Sequence, residues 1–165
     1  MKHIKSNRGY CGIGLDNPKD GVNVGAAMRA AWVYNAAFVA TTRDRFSDSW
    51  KKTDTMKAYR HIPLMRPQSL EGIIPYDCVP VAVDLIEGAT SLVEYVHPER
   101  AFYIFGAEDA TLGERVTSWC RDTVYVPTNG CMNLAATVNV VLYDRMAKIA
   151  AKQEGDQNDC ANFMA

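Results

Sequence analysis

The chain is 165 residues long, 48% apolar, and carries a formal net charge of −1. That is the length of one domain, 1–165, with enough apolar content for a sizeable core, and the near-zero charge excludes a protein that is basic all over, so any nucleic-acid surface has to be a local patch. The opening MKHIKSNRGY lacks the apolar run of a secretory signal and no stretch reaches the length of a membrane-spanning helix, so a cytoplasmic protein with no membrane partner is expected.

Residues 10–15 (YCGIGL) read as a first strand, and 17–23 (NPKDGVN) as a loop marked by its Asn-Pro and Asp-Gly pairs. Residues 24–34, rich in Ala, are predicted to be a helix whose small side chains allow close approach to a neighbouring layer. Arg29 sits in that helix among alanines; a charge so placed needs a partner or a purpose, or else extends its stem to reach water. Residues 36–42 (AAFVATT) read as the second strand.

The character then changes. Residues 43–66 hold seven Lys/Arg against three Asp, a local surplus of four. Phe46, Trp50 and Tyr59 are interleaved with Arg43, Arg45, Lys51, Lys52, Lys57, Arg60 and His61. Cations for phosphates and rings for stacking suit a single-stranded nucleic acid; a solvated loop anchored by a few aromatics has the same composition. Further on, 62–65 read as a short strand, 69–74 as a short helix with Ser69 as its cap, 79–86 as a strand, and 91–96 as a short helix. Residues 101–105 (AFYIF) read as a strand, 113–120 as a helix, and 122–126 as the last strand. A polar loop with Thr128, Asn129 and Gly130 follows, and a long apolar helix is predicted from Asn133 to about Lys152, leaving 154–165 as a polar tail.

Apolar strands that alternate with helices are the mark of an α/β fold with a mostly parallel sheet and helices on both faces. Ligands in such sheets lie beyond the carboxyl ends of the strands. Asp84, Gly106 and Val126 fall at such ends. The five cysteines are odd in number, widely spaced and free of any C-x-x-C, which argues for reduced thiols and against a zinc site or a disulfide frame. Cys131 has no neighbouring base to activate it. Gly12-Ile13-Gly14 has the first two glycines of a dinucleotide fingerprint but no third, and a loop instead of a helix follows it.

Three blocks together resemble the SpoU (TrmH-like) branch of the SPOUT superfamily of RNA methyltransferases. The first is N-x-G-x-x-x-R-x-A, here Asn23, Gly25, Arg29 and Ala31. The second is a strand ending in F-G-x-E, here Phe105-Gly106-Ala107-Glu108. The third is a Pro after a strand, an Asn opening a helix and an L-Y-E at its end, here Val126-Pro127, Cys131-Met132-Asn133 and Leu142-Tyr143-Asp144. The chain departs from the pattern in a longer loop before Asn23, in Ala110 and Thr111 before Leu112 where many members have Gly, and in Cys131 where serine is commoner.

The resemblance, over about residues 10–152, implies a deep C-terminal trefoil knot, a feature too rare for composition or periodicity to suggest. It implies S-adenosylmethionine held by Asp84, Leu85, Gly106, Val126, Pro127, Cys131, Met132 and Leu134. It implies a homodimer packed through the helices at Arg29 and at 133–143. The implied reaction is methylation of an RNA 2′-O-ribose, with Arg29, Asn23, Glu108 and Asn133 as the catalytic group and no metal. Arg29 would act as base or as a clamp on the neighbouring phosphate; a guanidinium that does not lose its proton favours the clamp. With no added RNA-binding domain in the sequence, the chain resembles the minimal members that modify the wobble ribose of tRNA, with Arg43, Arg45, Lys51, Lys52 and Arg60 as its RNA-binding residues. Ribosomal RNA is the nearest alternative substrate, and a non-catalytic RNA- or cofactor-binding module the alternative from another class.

Overall fold

In the computed structural model the apolar runs of the sequence supply most of the seven strands of one sheet found among the described residues. The structure describes residues 9–42, 45–46, 50–107 and 109–163, with side chains described as far as 153. The strands are β1 (Cys11–Leu15), β2 (Phe38–Thr41), β3 (Leu64–Met65), β4 (Val79–Val83), β5 (Thr90–Ser91), β6 (Ala101–Phe105) and β7 (Asp122–Tyr125). Their order across the sheet is β3-β2-β1-β6-β4-β7-β5, and every neighbouring pair is parallel.

Alternate residues of each strand face opposite cores, because side chains leave a strand with period two. Ile13, Leu15, Val39, Val81, Tyr103, Phe105 and Val124 meet the two long helices, α1 (Gly21–Val33) and α4 (Leu134–Phe163). Phe38, Ala40, Ala82, Phe102 and Ile104 meet Leu70, Leu112 and Val116 on the other face. That second face is covered by short pieces: a 3-10 turn at Glu71–Ile73 and α3 (Glu114–Thr117). Gly12 and Gly14 belong to this packing. A Cβ on Gly12 would stand 2.3 Å from the Phe38 ring, and one on Gly14 would stand 2.9 Å from Phe102. The G-x-G pair makes room for two phenyl rings inside the sheet.

Helix α1 begins three residues before the sequence expectation, because Asp20 caps it by accepting from the Val22 N–H (2.8 Å). Asn23, expected in the loop, therefore lies buried in the first turn of the helix. Gly25 is fixed by what crosses it: a Cβ there would stand 1.9 Å from the Trp50 carbonyl oxygen, in α2 (Trp50–Thr53). Residues 91–96, expected as a helix, are β5 followed by turns, since Thr90 and Ser91 pair with the open edge of β7. The expected helix at 69–74 shrinks to the 3-10 turn, although Ser69 Oγ does accept from the Gly72 N–H (3.1 Å). Helix α3 is a single turn, and α4 runs past Lys152 to Phe163.

Helix α4 is clipped to the segment that leads into β6 by a buried polar chain. Arg145 donates to the carbonyls of Pro98 (2.6 Å) and Glu99 (2.7 Å) and to the Tyr103 hydroxyl (3.3 Å). That hydroxyl lies 2.6 Å from His97 Nδ1, and His97 Nε2 lies 2.8 Å from Asp144. Lys148 completes the chain, pairing with Asp144 (2.8 Å) and donating to the Leu92 and Tyr95 carbonyls. His97 Nε2 faces a carboxylate and so carries the ring's proton, donating to Asp144, and a ring kept neutral by burial then accepts at Nδ1 from the Tyr103 hydroxyl. Burial pushes the imidazole below its ordinary range, against the pull of Asp144. Among the described residues no helix is long and apolar enough to cross a membrane.

Candidate active site

Strands β6, β4 and β7 are neighbours, so the loops that leave their carboxyl ends are neighbours too. They enclose a cavity of about 480 Å³, within the usual size for a site that holds a small molecule. The loop after β4 contributes Asp84 and Leu85, the loop after β6 contributes Gly106, and the loop after β7 contributes Val126, Cys131 and Met132, with Leu134 from the first turn of α4. These are seven of the eight residues expected to bind a cofactor. The eighth, Pro127, is not among the lining residues. Sequence reasoning missed Phe105, Asp109, Thr111, Tyr125, Thr128 and Thr137, which also line it. Phe105 and Tyr125 were legible as strand ends; Thr137 was legible only as one turn into α4 on the side of Leu134.

The loops hold one another. Asp84 accepts from its neighbour Leu85 N–H (2.7 Å) and from Leu112 N–H (2.6 Å), which ties the loop after β6 back to the end of β4. Gly106 is tight for the same reason: a Cβ there would stand 3.2 Å from the Ala110 carbonyl oxygen. The glycine thus serves the close return of its own loop. The cavity wall is apolar at Leu85, Phe105, Val126, Met132 and Leu134, and carries two acids, Asp84 and Asp109. Among the described lining residues there is no Lys or Arg. Such a wall suits a ligand with an apolar or aromatic body and a positive charge better than a phosphate.

Of the four residues expected to do chemistry, the structure joins two. Asn133 Nδ2 donates to Asn23 Oδ1 (2.8 Å), linking the start of α4 to the first turn of α1. The Asn133 oxygen caps α4, accepting from Ala135 and Ala136 N–H groups (3.0 and 3.2 Å). Arg29 lies six residues beyond Asn23, which at 3.6 residues per turn puts it on another face of α1. It is exposed and donates to Thr55 Oγ1 (3.1 Å). Glu108 lies outside the described residues.

The expected RNA-binding residues divide as well. Arg43 lies outside the described residues. Lys51, Lys52 and Arg60 are exposed. Lys51 stands 5.6 Å from the centre of the Trp50 ring, and the Arg60 guanidinium 5.9 Å from that of Tyr59. Asp54, buried, accepts from the Ala58 and Tyr59 N–H groups (2.8 and 3.2 Å) and so fixes the turn that presents Arg60. Arg45 is engaged within the protein, with the Asn17 carbonyl and with Asp109. Trp50, expected as a stacking ring, is buried against Tyr59, edge to face with centroids 5.5 Å apart. Burial raises the thiols of Cys11, Cys78 and Cys120, the last to about 12, so these remain protonated. Cys131 is an exposed free thiol on the cavity wall.

The fold recurs in solved structures. The SpoU methyltransferase AviRb from Streptomyces viridochromogenes, in complex with the cofactor AdoMet, superposes with a TM-score of 0.76 at 18% identity, over 87% of this chain and 59% of that one. An AdoMet-bound rRNA methyltransferase from Sinorhizobium meliloti gives a TM-score of 0.74 at 20% identity, over 88% and 59% of the two chains. A structure solved for the 2-OH methylation of C/U34 on tRNA gives 0.75 at 22% identity, over 87% of this chain and 98% of that one. The chain thus spans about three fifths of the length of AviRb and nearly the whole of the tRNA-related protein. No curated protein matches the sequence. The description of the SpoU rRNA Methylase family matches residues 11–143, which takes in every strand and the start of α4, and the chain belongs to that family.

Proposed function

We propose that the protein is an S-adenosylmethionine-dependent RNA 2′-O-ribose methyltransferase that acts on tRNA, with the wobble nucleotide as the favoured site. The observation that carries this is the cavity at the ends of β4, β6 and β7: an apolar wall for an adenine, two acids for a cationic sulfonium, and no phosphate-binding cation among the described lining residues. When bound, S-adenosylmethionine supplies the methyl group as an electrophile. Transfer RNA is favoured over ribosomal RNA by the likeness to the C/U34 structure, which runs over nearly all of that protein's length.

The chain's own residues then have these tasks. Asp84, Leu85, Gly106, Val126 and the segment 131–134 hold the cofactor. The linked amides of Asn133 and Asn23 keep the last loop of the cavity in register with α1. Arg29 clamps the phosphate beside the target ribose and stabilises the developing alkoxide while the 2′-OH proton passes to a solvent water. Glu108 orients the nucleotide or Arg29, and Lys51, Lys52 and Arg60 neutralise the RNA backbone. The protein works as a cytoplasmic homodimer through the outward faces of α1 and α4. Val22, Val33 and Tyr143 support this, being 47%, 56% and 57% exposed on those two helices. Each protomer is one domain with a trefoil knot, consistent with a β4 that lies between two strands made later in the chain.

The test is transfer of labelled methyl from S-adenosylmethionine to unmodified total tRNA, beside ribosomal RNA and an Arg29→Ala control. Label confined to tRNA, resistant to alkaline cleavage at one site, and lowered about 10²- to 10³-fold in Arg29→Ala is the expected outcome. Cofactor binding without transfer to either RNA would point to a non-catalytic module.

A further inference from the structure

Three loops that leave the sheet at the carboxyl ends of β1, β2 and β6 are drawn together by one arginine. Arg45, from the loop after β2, donates through Nε and Nη2 to the Asn17 carbonyl after β1 (3.2 and 2.7 Å). The same guanidinium donates through Nη1 and Nη2 to both carboxylate oxygens of Asp109 after β6 (3.2 and 3.0 Å). Lys19 stands 3.7 Å from Asp109 on the same side. Asp109 in turn lines the cavity, and the far end of its loop is held by Asp84 through Leu112 N–H. The described stretch 109–112 of this loop is therefore fixed at two points, Leu112 from the side of β4 and Asp109 from the side of β1 and β2.

We infer that Arg45 is a positioning residue for the cofactor: by joining Asp109 to Asn17 it sets the cavity wall made by Gly106, Ala107 and Asp109 to Thr111, and it does not serve as an RNA phosphate contact. The inference rests on the assignment of that cavity to S-adenosylmethionine. The geometry supplies the reason. A planar guanidinium offers five N–H donors in a fixed fork, and here the fork is spent on a two-pronged carboxylate and a carbonyl. Four of the five donors are used in this way, so a phosphate gripped by the fork would have to displace Asp109 or the Asn17 carbonyl. The pair also has an electrostatic task, since Asp109 and Asp84 line the same cavity and the Arg45 hydrogen bond holds the Asp109 carboxyl below its ordinary range. Both partners are partly exposed, at 37% and 42%, so water screens the pair and the effect is modest.

The test uses titration calorimetry of S-adenosylmethionine with the whole chain, its Arg45→Ala, Arg45→Lys and Asp109→Asn variants, and the Arg45→Ala/Asp109→Asn double variant. Arg45→Ala and Asp109→Asn are each expected to weaken cofactor binding about 2- to 5-fold, the range for an exposed ion pair. The double variant should lose no more than Asp109→Asn alone, because the Arg45 contribution is already absent once its carboxylate partner is gone. Arg45→Lys, with the charge but not the fork, should fall between. With cofactor saturating, tRNA affinity and its salt dependence should not change in Arg45→Ala. Cofactor affinity unchanged in Arg45→Ala, with tRNA binding weakened and its salt slope lowered by about one, would overturn the inference. Amide exchange of 106–112 in the cofactor-free protein gives a second readout. Faster exchange in both single variants is expected, and unchanged exchange also overturns the clamp. If the unaltered protein shows no cofactor binding at all, it is the assignment of the cavity that fails, and the exchange result still decides whether Arg45 holds the loop.

Discussion

The side chain of Asn133 is divided between two elements, its oxygen capping α4 and its amide donating to Asn23 on α1. Both halves fail together in Asn133→Ala. Loss of a cap costs about 0.5–2 kcal/mol, and the buried Asn23 oxygen is left without that donor. A drop of about 2 kcal/mol in unfolding free energy is expected, read from the urea midpoint. Asn133→Asp keeps the cap but faces Asn23 oxygen with oxygen, and should recover only part of the loss. Gly25 makes a different demand. A methyl group at 1.9 Å from the Trp50 carbonyl and 2.3 Å from Thr53 Oγ1 cannot be relieved by rotating a side chain, because the first obstacle is backbone. Gly25→Ala should cost about 1–3 kcal/mol or more, with α2 displaced and the Thr53 hydroxyl bond to the Val22 carbonyl lost. A thermal melt would show it, and a midpoint unchanged from the parent would count against the close crossing. The family pattern N-x-G thus has two physical parts, an amide that reaches α4 and a missing side chain that admits α2.

At the scale of elements, the strands were the legible part. Residues 101–105 form a strand with the expected ends because all five are buried and apolar, and buried parallel strands carry that signal undiluted. The short pieces were less legible. Nothing in Thr90 and Ser91 announces a strand, since what makes them one is the free edge of β7. The start of α1 was obscured because Asp20-Gly21 is a turn signal as well as a cap followed by a permissive residue. At the site, residues inside motif blocks were legible by position, whereas Asp109 and Thr137 were not, because the cavity reaches them through the folding of loops. The basic segment misled at Trp50: composition counts a ring among cations, and only the packing shows that this ring faces the core. The polar chain that holds α4 was not foreseen either. The acidic end of the L-Y-D block belongs to it, since Asp144 meets His97 and Lys148. The chain makes a prediction about pH. His97 is neutral when folded, with a pKa lowered by burial, and faces Asp144, Arg145, Lys148, Tyr95 and Tyr103. The unfolded state takes up a proton near pH 6.5 while the folded state does not, so its contribution is present above that value and is lost as pH falls toward the folded pKa. The urea midpoint should fall between pH 7.5 and 5.5, and the slope should be shallower in His97→Gln. An identical slope in both proteins would remove His97 as the cause.

For the whole molecule, the outward faces of α1 and α4 make the proposed homodimer testable. Val22, Val33 and Tyr143 leave apolar surface in water on helices that otherwise pack against each other and the sheet. Val33→Asp with Tyr143→Asp should shift the sedimentation coefficient toward that of one protomer without lowering the melting midpoint of each. The order of the sheet has a further consequence, for how the chain comes together as it is made. β1 pairs with β6, whose residues lie about ninety positions further on, and β4 is flanked by β6 and β7, both of which follow it. Until Phe105 has emerged, β1 and β4 each present an edge with no partner. Assembly dominated by such distant pairings is slow, and open edges invite pairing with other chains. A nascent chain arrested before β6 should be protease-sensitive and bind chaperones, and one arrested well after Tyr125 should acquire resistance in a single step.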